Sequence, residues 1–142
     1  MATWIITAGA ALFFLLGALH LRFTVLDLKD PKRFVPAEPG LLDALKNTRI
    51  KMRKDVKNFW LSSLGFHFSH SVGVLFYATV VMYCALIRPD ILADMYVRIA
   101  IVIFGFSYVA MARAFWFIIP LVGTLLGTAL IAIGMAMLYP FG

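Results

Sequence analysis

Charged side chains are scarce in this 142-residue chain. They make up 14% of the residues, against 63% hydrophobic, whereas a typical soluble domain is about 25% charged and about 45–50% apolar. A soluble domain of this size leaves much of its surface in water, so it could not bury so much apolar surface. The composition disfavours a water-soluble enzyme, a disordered chain and a nucleic-acid-binding domain, and it predicts a membrane protein.

Cysteine and glutamate are nearly absent. Cys84 is the only cysteine, which excludes an intramolecular disulfide. Glu38 is the only glutamate, which excludes a di-iron site built from Glu and Glu-x-x-His motifs. The sequence also lacks a Gly-x-Ser-x-Gly pattern, a phosphate-binding loop and an acidic residue placed to orient an imidazole. We therefore identify no catalytic residue and favour a function without catalysis.

Long apolar runs are the main feature that is present. A bilayer core about 30 Å thick needs about 20 apolar residues in a helix. Four stretches qualify, at about 3–23, 59–87, 91–112 and 117–139. Backbone groups in lipid must be hydrogen-bonded internally, so these stretches are predicted to be helices. We expect an all-α fold, in which residues 1–142 form one membrane domain: a bundle of four transmembrane helices with a loop at 24–58.

The positive charge is concentrated in that loop. Ten of the thirteen Lys and Arg residues lie between Arg22 and Lys57. The positive-inside rule then places the loop in the cytoplasm and both termini outside. Residues 41–58 lack Gly and Pro, and their apolar residues recur every three to four positions with one interruption at Arg49. This pattern predicts an amphipathic helix at the cytoplasmic surface.

Basic residues of the predicted amphipathic helix are candidates for contact with anionic lipids or a partner protein. The alternative is that they only mark the cytoplasmic side of the membrane. Stacking aromatic residues are not interleaved with them, which argues against nucleic acid. The candidate residues are Lys46, Arg53, Lys54 and Lys57.

All three histidines fall in the predicted spans. His20 lies near the cytoplasmic end of the first span, and His67 and His70 lie in the second. Ionisable residues in membrane helices are costly and therefore functional candidates. His67 and His70 share a helix face, and His20 can approach His67 if the two spans pack antiparallel. Such imidazoles can hold haem or a transition metal, bind protons or a small molecule such as a quinone, or simply hydrogen-bond between helices.

Small residues mark one face of the fourth span. Gly123 and Gly127 form a small-xxx-small motif, and Gly134 extends it. Such surfaces let helices approach closely. The motif predicts packing within the bundle or against a neighbouring subunit.

Two motifs resemble a family of small, uncharacterised four-span bacterial membrane proteins. The first ends the first span with His20-Leu21-x-x-Thr24, and the second is Gly65-Phe66-x-x-Ser69-His70-Ser71-x-Gly73 in the second span. In that family the position of His67 is more often Asn, so His20 and His70 are the matching pair. The resemblance, which extends to Phe115-Trp116-Phe117 with Pro120, implies the four-span fold and a bacterial cytoplasmic membrane, but no activity.

These observations leave three functions open. The first is a non-catalytic accessory or scaffolding subunit of a membrane assembly, because the chain has almost no extramembrane domain and no complete catalytic set. The second is a redox protein that binds haem, a metal or a quinone through its histidines. The third is a small transporter or binder of lipids or other small molecules.

Overall fold

The structure, a computed structural model, describes residues 1–51 and 57–138. It confirms the all-helical fold, and no strand occurs in the described ranges. Four of its helices are long and apolar enough to cross a membrane, as a multi-pass membrane protein requires. The helices are α1 (Ala2–Lys29), α2 (Leu41–Asn47), α3 (Phe59–Leu86), α4 (Met95–Phe115) and α5 (Ile118–Leu138), with a 3-10 turn at Pro89–Ala93 before α4.

Helix α1 is longer than the predicted first span, which ended near residue 23. It continues through Thr24 and Asp27 to Lys29, and Pro31 follows its end. Its 28 residues correspond to a length of roughly 42 Å, which exceeds the hydrocarbon core of about 30 Å. The extra length accommodates polar residues that the hydropathy pattern assigned to the loop.

Helix α2 occupies only the first part of the predicted amphipathic helix. It ends at Asn47, and Thr48 is extended, with φ −105° and ψ 155°. The Thr48 carbonyl accepts a hydrogen bond from Phe59 N–H at 2.9 Å, so it is not used to continue a helix. Residues 52–56, with Arg53 and Lys54, lie outside the described residues.

Helix α4 begins at Met95, four residues later than predicted. The Asp94 carboxylate caps it by accepting hydrogen bonds from the backbone N–H groups of Tyr96 (2.7 Å) and Val97 (3.3 Å). Such a side chain satisfies amides that have no partner within the helix. In the preceding break, a hydrogen bond from Arg88 lowers the pKa of the exposed Asp90 carboxyl group.

The chain forms two compact units: Met1–Leu16 together with Val74–Gly142, and Gly17–Gly73. Aromatic side chains from three helices meet in the first unit. The Phe13 ring lies edge-on to Tyr77 and Tyr108, with centroid distances of 5.0 Å and 6.0 Å. The buried Tyr77 hydroxyl donates to the Ile101 carbonyl at 3.0 Å.

Glycines allow α1 and α5 to approach closely in the same unit. A Cβ atom on Gly127 would lie 2.8 Å from the Phe13 ring, and one on Gly9 would lie 2.6 Å from the Gly127 carbonyl oxygen. Elsewhere on α5, a Cβ atom on Gly134 would lie 2.6 Å from the Ile6 side chain, and one on Gly123 would lie 2.8 Å from the Leu16 side chain. The small face of α5 is therefore covered by α1 rather than left open to a neighbouring subunit.

Candidate functional site: the histidine cluster

The second unit brings the three histidines together. His20 is supplied by α1, and His67 and His70 by α3. His20 Nε2 and His67 Nδ1 are hydrogen-bonded at 3.1 Å, as the antiparallel arrangement of the two spans predicts. The His20 and His70 ring centroids are 5.4 Å apart. We refer to these three half-buried side chains as the histidine cluster.

The short contact between His20 and His67 constrains their protons. A neutral imidazole has one N–H donor and one acceptor nitrogen. In a neutral pair, one ring therefore donates the shared proton and the other accepts it. Of the two outer nitrogens, His20 Nδ1 and His67 Nε2, only one then carries a proton.

Phe34 covers one side of the cluster. Its ring is stacked on that of His67, with centroids 4.4 Å apart and planes 12° from parallel. The same ring lies 4.9 Å from His20 at an angle of 38°. Phe34 thus gives both imidazoles an apolar neighbour.

Asp27 holds Phe34 in this position. Its side chain is fully buried and accepts backbone N–H bonds from Lys32 (3.2 Å), Arg33 (2.9 Å) and Phe34 (2.7 Å). The Arg33 guanidinium also donates to it at 3.2 Å. Hydrogen bonds to an ionised carboxylate are about twice as strong as neutral ones. We call Asp27, Lys32, Arg33 and Phe34 the Asp27 clasp, since it folds the chain after α1 back onto the histidines.

Hydroxyl groups beside the histidines bond to the backbone. Thr24 Oγ1 donates to the His20 carbonyl at 2.9 Å, and Ser71 Oγ donates to the His67 carbonyl at 2.8 Å. Both side chains are fully buried. Bonding to the carbonyl one turn earlier is a usual way to satisfy Ser and Thr within a helix. These two hydroxyls therefore bond back to the helices that carry the histidines.

Asp27 and Phe34 were not identified from the sequence, because the hydropathy pattern ended the first span before them. One feature of the sequence could have indicated the role of Asp27. Asp27 precedes Pro31 by four residues, so it occupies the last turn of any helix that the proline terminates. A carboxylate there opposes the helix dipole and needs donors from outside the helix. The three successive N–H groups of residues 32–34 are those donors.

The cluster geometry limits which metal groups fit. In the described part of the chain, no three His, Cys, Asp or Glu side chains are arranged to hold one metal ion. Metal–imidazole bonds are about 2 Å long, so two axial nitrogens on opposite sides of a haem iron lie about 4 Å apart. The 3.1 Å separation of His20 Nε2 and His67 Nδ1 is too short for that arrangement.

The other predicted site residues lie away from the histidines in the chain. Gly123, Gly127 and Gly134 belong to the unit that packs α5 against α1. Lys46 is exposed on α2, and Lys57 is exposed just before α3. Arg53 and Lys54 fall in the segment that the structure does not describe.

No known protein family, curated protein or solved structure matches this chain. Its function must therefore be argued from its own residues and their geometry.

Proposed function

We propose that the protein is a non-catalytic accessory subunit of a membrane assembly. The supporting observation is how little of each apolar span is buried within the chain. The most apolar window of α4 has 22% of its residues buried, and even that of α3 reaches only 39%. The remaining apolar surface faces lipid or another membrane subunit.

Helix α4 offers the clearest surface for such a subunit. Ile99, Ile103 and Phe106 are exposed and recur at a spacing of four and three residues, which places them on one helix face. Gly105 and Tyr108 are buried on the other face. A helix that is apolar on both faces is expected where one face packs within the chain and the other meets lipid or protein.

The polar groups inside the spans support a structural role. His20 and His67 bond to each other, and Tyr77 bonds to a backbone carbonyl of α4. Polar side chains used in this way link helices, each contributing about 0.6–2 kcal/mol in membrane proteins. The proposal therefore assigns these groups to the cohesion of the subunit.

We also propose an orientation. The protein lies in the cytoplasmic membrane of a bacterium with both termini outside the cytoplasm, and the segment between α1 and α3 lies in the cytoplasm, as its concentration of basic residues favours. Helix α2 would rest at the interface with Leu42 and Leu45, which are half-buried, on its membrane side. Lys46 and Lys57, which are exposed, would attract anionic headgroups with about 1 kcal/mol each.

Photo-crosslinking in native membranes tests the accessory-subunit proposal. A benzoylphenylalanine replaces Phe106 on the exposed face of α4, and a matched variant carries it at the buried Tyr108. We expect the Phe106 variant to form one discrete crosslinked species containing a second, different polypeptide, which also co-purifies in fixed ratio. The Tyr108 variant should not form it. Purification as a monomer with lipid adducts alone would reject the proposal.

A further inference from the structure

We infer that His20 and His67 form a cis two-imidazole site for one late first-row divalent metal ion, Cu²⁺ or Zn²⁺. The ligating atoms are His20 Nε2 and His67 Nδ1, which now share a proton at 3.1 Å. This inference goes beyond the proposed function, because an accessory subunit needs no metal.

The separation of the two nitrogens fits a shared ion. With metal–nitrogen bonds of 2.0–2.1 Å, two nitrogens 3.1 Å apart subtend an angle of about 95–102° at the metal. This value lies between the cis angle of tetragonal Cu²⁺ and the tetrahedral angle of Zn²⁺. The ion lies off the line that joins the nitrogens, so both rings turn out of their present hydrogen-bonded orientation when they direct their lone pairs at it.

Binding requires a change of tautomer but no net loss of protons from the neutral pair. Before binding, one proton lies between His20 Nε2 and His67 Nδ1 and one lies on an outer nitrogen. After binding, both inner nitrogens hold the metal, and the two protons occupy His20 Nδ1 and His67 Nε2. The metal thus takes the place of the shared proton, which moves to an outer nitrogen.

The surroundings of the pair favour imidazole-binding metals over hard cations. Both ligands are nitrogens, and imidazole suits Cu²⁺, Zn²⁺ and Ni²⁺, whereas Mg²⁺ and Ca²⁺ prefer oxygen. In the Irving–Williams order Cu²⁺ binds most tightly. Water completes the coordination, since the described residues provide no three-ligand group.

The Asp27 clasp acts as the support of this site. Phe34 stacks on the His67 ring and keeps it beside His20, and Asp27 fixes the Phe34 backbone. Outer residues that orient metal ligands typically change affinity by 10–100-fold when they are replaced. Phe34→Ala is therefore expected to weaken metal binding by at least about tenfold without removing a ligand.

Titration of the purified protein in detergent with CuSO₄ or ZnCl₂ tests the inference. The protein must have no histidine tag, and a variant lacking all three histidines serves as the blank. We expect one ion per chain, and for Cu²⁺ an electron paramagnetic resonance spectrum with coupling to two imidazole nitrogens. His20→Ala and His67→Asn should each abolish this binding, whereas His70→Ala should change it by less than about threefold. His67→Asn keeps a hydrogen-bonding side chain against His20 and is the safer variant for folding.

Several outcomes would overturn the inference. These are the absence of specific binding by the wild-type protein, equal binding by His67→Asn, and loss of binding in His70→Ala alone. The comparison of His67→Asn with His70→Ala decides which histidine partners His20 even if His20→Ala does not fold. The titration uses the isolated chain, whereas the crosslinking experiment uses native membranes, so either proposal can fail without the other.

Discussion

Phe34 lies flat on His67, although the two residues are 33 positions apart and belong to different parts of the chain. Their rings are 4.4 Å apart and 12° from parallel. Phe34 reaches this position because the buried carboxylate of Asp27 accepts its backbone N–H at 2.7 Å. The position of Phe34 therefore depends on the stacking of its ring on His67 and on the hydrogen bond from its backbone N–H to Asp27. These two interactions can be tested separately.

Asp27→Asn tests the clasp. The neutral amide loses the charge-assisted bonds to three backbone N–H groups and to Arg33, so we expect a loss of about 2 kcal/mol in the free energy of unfolding. Hydrogen exchange at the amides of residues 32–34 should accelerate. Asp30→Asn is the matched control, because Asp30 pairs with Lys32 on the exposed surface, where a salt bridge contributes about 0–1 kcal/mol. Unchanged exchange in Asp27→Asn would show that the clasp does not hold this segment.

Phe34→Ala tests the stacking contact. Removing the ring should cost roughly 1–3 kcal/mol, which combines lost apolar burial with the lost stacking on His67 and His20. Phe34→Leu keeps most of the burial and isolates the aromatic part of about 0.5–1.5 kcal/mol. Thermal unfolding in detergent measures both. Phe66→Ala, at an exposed position of α3, should have a much smaller effect, and an equal effect would contradict the assignment.

Gly127→Ala tests the close approach of α1 and α5. The added Cβ atom would lie 2.8 Å from the Phe13 ring and 3.0 Å from the Gly9 carbonyl oxygen. Overpacking of this kind typically costs about 1–3 kcal/mol. Gly65→Ala is the control, because no atom lies within 4 Å of its added Cβ and alanine favours a helix by about 1 kcal/mol. The two substitutions should therefore shift the unfolding temperature in opposite directions.

Single cysteines test the proposed orientation. Cys84 is buried, and Cys84→Ala provides a cysteine-free background. On this background, Lys46→Cys should react with a membrane-impermeant thiol reagent in inverted vesicles and not in intact cells. Ala2→Cys should behave in the opposite way. Labelling of Lys46→Cys in intact cells would reverse the orientation derived from the basic residues.

The sequence predicted those features that depend on amino-acid composition and on the spacing of residues along a helix. Apolar length located the four long helices, and the spacing of His67 and His70 placed both on the face of α3 that meets His20. The end of α1 and the extent of α2 were not predicted correctly, since each depends on a partner distant in sequence. Asp27 lies in a helix because amides beyond Pro31 satisfy its carboxylate, and α2 ends because Thr48 bonds to Phe59. Hydropathy carries no information about either hydrogen bond.

The Thr48–Phe59 hydrogen bond has a consequence for engineering. It joins Thr48 to Phe59, so the two ends of the intervening segment lie within one hydrogen bond of each other. The entropic cost of closing such a loop rises only with the logarithm of its length. Reporter peptides or additional residues inserted there should thus leave the first turn of α3 in place.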